Sequence, residues 1–174
     1  MVQIAIFIIA TAGIAAYSLP SLRDPRSHGF FRFFAFESIL ALILLNVAHW
    51  FDDPFSARQI VSWLMLIASG FLALHGFYLL RVIGKPRGNI ENTTTLVRRG
   101  AYRYVRHPLY SSLLWLAWGA FLKDVSPISI ALVAVATLAL FATAKAEEAE
   151  NFAKFGATYA EYMKSTRRFV PLLF

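Results

Sequence analysis

The chain has 174 residues, of which 58% are hydrophobic and 16% are charged. Soluble domains have about 45–50% apolar and about 25% charged residues, and the excess here lies in long blocks, so the sequence predicts an integral membrane protein and not a soluble globule. The absence of cysteine excludes disulfides, thiolate metal sites and a cysteine nucleophile, while the placement of the net charge of +7 indicates contact with lipid headgroups and not with nucleic acid.

The first half of the chain contains three apolar runs. The first covers residues 2–19 and stops before Pro20; as a helix it would be about 27 Å long, close to a bilayer core of about 30 Å. No positive charge precedes it, as one would in a signal peptide, so we expect a retained membrane helix. The second and third runs cover residues 30–50 and 58–80. Residues 1–81 are therefore predicted to form three membrane helices.

The second half begins with a long polar segment, residues 81–107, and continues with two further apolar runs. Pro108 suits the first turn of a helix, and the helix over 108–122 would be about 22 Å long, which is short for a full crossing. A turn leads to the run 127–146, and the two runs predict a helical hairpin. Beyond residue 146, aromatic residues recur three and four positions apart, which is typical of an amphipathic interfacial helix.

Together these elements predict an all-α fold in a single membrane domain, with about five transmembrane helices and a C-terminal amphipathic helix. Residues 82–174 would form its functional half. Alternate loops carry fifteen Lys and Arg residues against two in the others. By the positive-inside rule, the N-terminus is predicted to lie outside, and the C-terminus and the polar segment in the cytoplasm.

The stretch 100–110 combines arginines, tyrosines and one histidine beside apolar sequence. His107 lies between Arg106 and Pro108 at the start of a predicted helix, where backbone N–H groups are free to bind an anion. Such a set could hold a carboxylate, a ribose or an adenine ring. The alternative is a belt of arginines and tyrosines that anchors the loop to headgroups.

Glu147 and Glu148 lie where the last apolar helix leaves the membrane. Neighbouring positions on a helix point about 100° apart, so one carboxylate could bind the amino group of a ligand while the other pairs with Arg106 or Arg168. The alternative is a solvated helix end. Glu37 is a further candidate, because carboxylates within membrane helices are costly and usually paired.

Other signals are weaker or missing. His49 and His75 are interpreted as hydrogen-bonding residues, because a haem site would need two histidines at matched depth. The sequence has no G-x-G-x-x-G loop, no phosphate-binding loop and no H-E-x-x-H motif. A soluble dinucleotide-binding fold is therefore excluded, and no metal site is expected.

Several motifs taken in order carry a resemblance to a known family. They are Leu96-Val97 with Gly100 and Tyr102-Arg103, Arg106-His107-Pro108 with Tyr110, Glu147-Glu148, Phe155-Gly156 with Tyr159 and Tyr162, and Arg168-Phe169 with Pro171. In order and spacing the chain resembles the isoprenylcysteine carboxyl methyltransferases and their relatives, the phospholipid N-methyltransferases, over roughly residues 94–171.

The resemblance implies an all-helical membrane enzyme that uses S-adenosylmethionine and takes a lipid or lipidated acceptor from the bilayer. The implied cofactor-binding residues are Leu96, Val97, Gly100, Tyr102, His107, Pro108, Tyr110 and Glu148. The candidate catalytic residues are Glu147, Arg106 and Glu37. The candidate acceptor-binding residues are Tyr159, Tyr162 and Arg168.

The acceptor stays open between a carboxylate of the isoprenylcysteine type, a phospholipid amine and a small thiol. Members that methylate prenylcysteine usually have an arginine about four residues before the glutamate pair, where this chain has Thr143. Many members also have glycine where this chain has Ser112. An acceptor that must lose a proton needs a base, for which Glu147, Glu37 and Tyr102 are candidates. A scaffold without turnover, binding haem or lipid, is the alternative outside enzymes.

Overall fold

The computed structural model describes residues 1–88, 90 and 92–171, and these residues form helices and loops without a strand. The six helices among them are α1 (Val2–Leu22), α2 (His28–Asn46), α3 (Ala57–Val82), α4 (Pro108–Phe121), α5 (Pro127–Phe155) and α6 (Ala157–Ser165). Short 3₁₀ turns follow α2 at Val47–His49 and precede α4 at Gly100–Arg103.

Four of these helices are long and apolar enough to cross a membrane: α1, α2 with its 3₁₀ extension, α3 and α5. Helix α4 has 14 residues, fewer than the roughly 20 that a crossing requires. The prediction of an all-α membrane bundle with about five transmembrane helices is confirmed, since the described residues form four helices of spanning length and the shorter α4.

The helices pack in two close pairs, α2 with α5 and α3 with α4, while α1 lies against α2 on the outside. The α3–α4 contact is close because serine hydroxyls replace larger side chains between the helices. Ser62 donates to the carbonyl oxygen of Gly119 at 2.7 Å, and Ser69 donates to that of Ser112 at 2.8 Å. Small residues and interhelical hydrogen bonds of this kind drive helix association in membranes.

The α4–α5 turn is fastened to the α2–α3 turn by a buried lysine. Lys123 is fully buried, donates to Gln59 Oε1 at 2.9 Å, and lies 3.7 Å from the centre of the Trp63 ring. Burial, with a further effect of the nearby Arg58 charge, lowers the pKa of Lys123. This cluster fixes the end of the bundle opposite to the polar segment.

Two helix ends differ from the sequence-based prediction. Helix α1 continues through Pro20 to Leu22, so the proline does not end it. Helix α5 continues to Phe155 and not to residue 146, and Gly156 ends it with a φ of +55°. The predicted amphipathic helix is thus divided between the last turns of α5 and the separate helix α6.

Candidate functional site

A cavity of about 580 Å³, including its open mouth, lies between α3, α4, α5, α6 and the polar segment before α4. Nine of the sequence-predicted site residues line it: Leu96, Val97, Tyr102, Arg106, His107, Tyr110, Glu147, Tyr159 and Tyr162. Predicted site residues from two distant segments of the chain, 96–110 and 147–162, therefore line the same cavity.

The polar segment is held in place by the C-terminal residues 166–169, which we call the C-terminal strap. Val105 and Arg167 form a parallel β-bridge. The backbone N–H of Arg106 donates to the carbonyl oxygen of Arg167 at 2.7 Å, and that of His107 to the carbonyl oxygen of Arg168 at 3.2 Å. The strap therefore occupies these two N–H groups, which lie just before the first residue of α4.

Phe169 anchors the strap in the bundle. Its side chain is 1% exposed and packs edge-on against Phe141 with ring centres 4.8 Å apart. Its carbonyl oxygen accepts a hydrogen bond from Ser111 Oγ at 2.8 Å. The position of His107 and of the first turn of α4 thus depends on residues about sixty positions later in the chain.

Glu148 lies in the wall behind the cavity, where two arginines surround its carboxylate. Arg106 Nε donates to Oε1 at 2.8 Å, and Arg168 donates from Nε to Oε1 at 3.1 Å and from Nη2 to Oε2 at 2.6 Å. The Glu148 side chain is only 7% exposed. This carboxylate is used to join α5, the polar segment and the strap.

Glu147 points into the cavity instead. Its side chain is 21% exposed, its Oε1 lies 3.9 Å from His107 Nδ1, and Asn151 Nδ2 donates to the same oxygen at a long 3.4 Å. No arginine or lysine ion pair is found for Glu147 within the described part of the chain. The negative charge of Glu147 is therefore available to a ligand.

Two buried polar atoms on the cavity wall lack hydrogen-bond partners among the described residues: His107 Nε2 and the Tyr110 hydroxyl oxygen. His107 Nε2 lies 3.4 Å from Glu148 Oε1 but without hydrogen-bond geometry. The His107 and Tyr110 rings are stacked, with centres 5.4 Å apart. Because an unsatisfied buried polar group is costly, these atoms indicate a place where a ligand completes the hydrogen bonding.

The tyrosines around the cavity are held in the neutral form. Burial, and after it the negative charge of Glu147, raises the pKa of Tyr102 well above its usual value. Burial likewise raises the pKa of Tyr159 and of Tyr162. The Tyr162 hydroxyl donates to the carbonyl oxygen of Tyr102 at 2.6 Å, so it braces the cavity wall.

Five predicted site residues do not line the cavity. Gly100 adopts a φ of +57° and packs against His75 in α3, so it shapes the turn that presents Tyr102. Pro108 is buried as the first residue of α4. Glu148 and Arg168 pair with each other behind the wall. Glu37 accepts a hydrogen bond from Thr11 Oγ1 at 2.7 Å, which places its carboxylate against α1.

The two histidines that were considered for haem have separate neighbours. His49 Nδ1 lies 2.9 Å from Asp52 Oδ2 in the loop after α2. The His75 ring stacks on Phe71 of its own helix at 5.7 Å. Among the described residues, no group of three or more histidines and carboxylates is placed to hold a metal ion.

The cavity also includes five residues that were not predicted: Leu80, Thr93, Leu109, Asn151 and Phe155. Two of them had a signal in the sequence. Glu147, Asn151 and Phe155 are spaced four apart, so on a continuous helix they share one face. Ending the apolar helix near residue 146 hid this spacing.

A family model described as phospholipid methyltransferase matches residues 57–157. The match covers more than half of the chain and extends from the start of α3 to the start of α6, including both walls of the cavity but not Tyr159, Tyr162 or the C-terminal strap. No significant match was found among curated proteins or among solved structures.

Proposed function

Because this chain belongs to the phospholipid methyltransferase family, we propose that it is an integral membrane enzyme that uses S-adenosylmethionine to methylate a lipid-like acceptor. The observation that supports this most directly is the cavity itself. It combines one unpaired carboxylate, two buried polar atoms without partners and several aromatic faces in a single space.

The chemistry of the lining residues fits the cofactor. Glu147 is the only carboxylate among the described lining residues, and a buried carboxylate attracts an ammonium or a sulfonium. Tyr102 and Tyr159 also line the cavity, and aromatic rings attract cations. His107 Nε2 and the Tyr110 hydroxyl are the atoms that would complete their hydrogen bonds on the ligand.

S-adenosylmethionine held by Glu147, His107 and Tyr110 would supply a sulfonium methyl group for in-line transfer to an acceptor lone pair, with the electron pair of the broken C–S bond left on sulfur. The contribution of the chain is to orient the reacting groups and to exclude water, and both can lower the barrier by several kcal/mol. Helix α6 contributes Tyr159 and Tyr162 to the cavity wall, which supports such a role.

Glu147 is the residue that we propose as the base for an acceptor that must lose a proton. Tyr102 is unsuited at neutral pH, because its raised pKa keeps the phenol protonated and a protonated phenol cannot accept a proton. Glu37 lies outside the cavity lining and is bonded to α1. Glu147 alone combines a carboxylate with a place on the cavity wall.

The charges around the cavity favour an amine acceptor, such as the headgroup of an amino phospholipid, over an isoprenylcysteine-type carboxylate. Arg106 carries the permanent positive charge of the described lining, and its guanidinium is used by Glu148 and by the carbonyl oxygens of Met163 and Thr166. Thr143 adds no charge, since its hydroxyl donates within α5 to the carbonyl oxygen of Ala139. A carboxylate acceptor would meet Glu147 without a compensating cation.

The distribution of Lys and Arg supports a cytoplasmic cavity and an N-terminus outside. The polar segment, which lines the cavity, and the strap, which is hydrogen-bonded to that segment, belong to the positively charged side. An acceptor would then reach the site from the cytoplasmic leaflet. Cysteine labelling at position 3 and at position 164 in intact vesicles tests this orientation directly.

Binding of S-adenosylhomocysteine and S-adenosylmethionine to detergent-purified protein, measured by calorimetry, tests the proposal. We expect saturable binding, which His107→Ala weakens and which Glu147→Gln weakens by about 10- to 100-fold, as loss of a hydrogen bond to a charged group does. If Glu147 faces the sulfonium, Glu147→Gln weakens the binding of S-adenosylmethionine more than that of S-adenosylhomocysteine. If Glu147 faces the ammonium, which both compounds have, the binding of both is weakened equally. The matched control is Glu161→Gln, because Glu161 is an exposed carboxylate paired with Lys164 on α6.

A folded, monodisperse wild-type sample that binds neither compound would refute the enzyme proposal and favour a scaffold. The acceptor is tested separately, by transfer of labelled methyl to vesicles containing an amino phospholipid and to a prenylated cysteine. Transfer to the prenylated cysteine alone would refute the preference for an amine.

A further inference from the structure

Three cavity-lining residues of α5, Glu147, Asn151 and Phe155, follow one another at intervals of four positions. Four residues advance an α-helix by about 6 Å, so the three side chains form a row about 12 Å long. The row begins at Glu147, whose Oε1 lies 3.9 Å from His107 Nδ1, and ends at Phe155, and the apolar Leu80 and Val97 belong to the same cavity lining. The cavity thus changes from charged to apolar along α5, with Asn151 between the two ends.

Asn151 is half-buried, and its amide has unused hydrogen-bonding capacity. An asparagine side chain offers two N–H donors and a carbonyl acceptor. The bond from Nδ2 to Glu147 Oε1 is 3.4 Å long, near the limit for a hydrogen bond. The Asn151 amide also interacts with the hydroxyl of Tyr159, which its raised pKa keeps protonated. A ligand in the cavity therefore meets a mixed donor and acceptor group at this position.

The ligand proposed above has a matching order of groups. Its sulfonium and ammonium are positive, its carboxylate is negative, its adenine is a flat aromatic ring, and a ribose with two neighbouring hydroxyls joins the sulfonium to the adenine. A cation placed at Glu147 and an adenine placed near Phe155 leave the ribose beside the middle of the row. Vicinal hydroxyls both donate and accept hydrogen bonds, as a carboxamide does.

We propose that Asn151 binds the ribose hydroxyls of the cofactor and so is a cofactor-contacting residue of this chain. This inference rests on the proposed function. The competing role for Asn151 is to orient the Glu147 carboxylate without touching the ligand. The two roles predict different effects of Asn151 substitution on the affinity for a ligand that lacks a ribose hydroxyl.

The test is a cycle between variants of the protein and analogues of the ligand. Calorimetry compares S-adenosylhomocysteine with its 2′-deoxy and 3′-deoxy analogues, on the wild type and on Asn151→Leu. We expect the wild type to bind at least one deoxy analogue about 10-fold more weakly than the parent compound, as loss of one good hydrogen bond predicts. In Asn151→Leu the difference should fall to less than about 2-fold, because the partner of the hydroxyl is gone.

Three further variants keep the test decisive. Asn151→Ala replaces Asn151→Leu if the larger side chain impairs folding. Glu147→Gln should bind all compounds more weakly yet still distinguish the deoxy analogue. Glu161→Gln should behave as the wild type does.

Each other outcome overturns a defined statement. If Asn151→Leu binds S-adenosylhomocysteine more weakly but distinguishes the deoxy analogues as strongly as the wild type, Asn151 only positions Glu147. If the wild type binds all compounds equally, no residue forms a hydrogen bond of measurable strength with these hydroxyls. The inference about Asn151 then fails, while the proposed function stands. If the wild type binds none of them, the proposed function fails as well.

Discussion

Replacing Glu148 by glutamine should destabilise the fold more than any other single change of charge at the site. The carboxylate accepts three hydrogen bonds from Arg106 and Arg168, and its side chain is 7% exposed. Glutamine keeps the shape and one carbonyl oxygen but loses the charge and offers an NH₂ group to guanidinium donors. Helix α5, the polar segment and the C-terminal strap would then be joined around two unpaired cations.

The expected magnitude follows from the geometry. Removing one member of a buried ion pair costs about 3–5 kcal/mol, but the Arg168 side chain is 30% exposed, so water will screen part of its unpaired charge. We therefore expect a loss of about 3 kcal/mol in the free energy of unfolding, near the lower end of that range. This corresponds to a change of roughly 100-fold in the unfolding equilibrium constant.

Equilibrium unfolding in mixed micelles, followed by tryptophan fluorescence, measures this loss. Arg168→Gln and the double variant complete a cycle that isolates the Glu148–Arg168 coupling. Glu161→Gln is the control, since its ion pair with Lys164 is exposed and contributes little. A loss below about 1 kcal/mol for Glu148→Gln would refute the reasoning, because a buried charge network must cost more than that when broken.

Two further predictions concern the turn at Gly100 and the tyrosines. Gly100→Ala should destabilise the protein by about 1–3 kcal/mol, because a Cβ at a φ of +57° is strained and would lie 2.5 Å from His75 Nε2 and 2.7 Å from Leu79 Cδ1. Thermal unfolding checks this, and adding His75→Ala should recover only the part of the steric cost that His75 causes. Burial raises the pKa of Tyr102, Tyr159 and Tyr162 above the usual value near 10, so the folded state holds these protons more tightly than the unfolded state does. The contribution of these tyrosines to the free energy of unfolding is therefore complete below about pH 10 and is lost above it. The unfolding temperature should therefore fall above about pH 10, with a smaller slope in Tyr162→Phe, and an equal slope in that variant would contradict the assignment.

The membrane helices could be predicted because each depends on local sequence. Apolar runs of bilayer length, the serines that cap α2 and α3, and Pro108 at the first position of α4 are all visible in the sequence. The ends of α1 and α5 were predicted wrongly, because there the tertiary contacts or the environment of the helix outweigh the local sequence preference. Polar residues after position 146 suggested a boundary, yet α5 continues because Glu148 and Glu150 are paired there with Arg168 and His28.

The meeting of two distant segments around a cavity was predicted from the resemblance, whereas the role of the strap had no local signal. The hydrogen bonds between residues 104–107 and 166–168 join positions about sixty apart in the sequence. No periodicity or spacing reports such a pairing, because it depends on how α6 folds back after Gly156. The same fold decides which N–H groups at the start of α4 remain free.

Packing gives the adjacent glutamates Glu147 and Glu148 different roles, which the sequence alone does not distinguish. Because they point about 100° apart on one helix, only one can face the strap, and the structure turns Glu148 toward it. Glu148 thereby takes up the charges of both Arg106 and Arg168, so the neighbouring carboxylate of Glu147 remains without a cation. A cavity lined by protonated tyrosines and this one unpaired carboxylate would favour positively charged ligands, such as the sulfonium cofactor and the amine acceptor that we propose. On this argument Glu148 determines the charge of the cavity without lining it, and replacing Arg168, which also lies behind the wall, should change ligand preference as strongly as replacing a residue on the cavity surface.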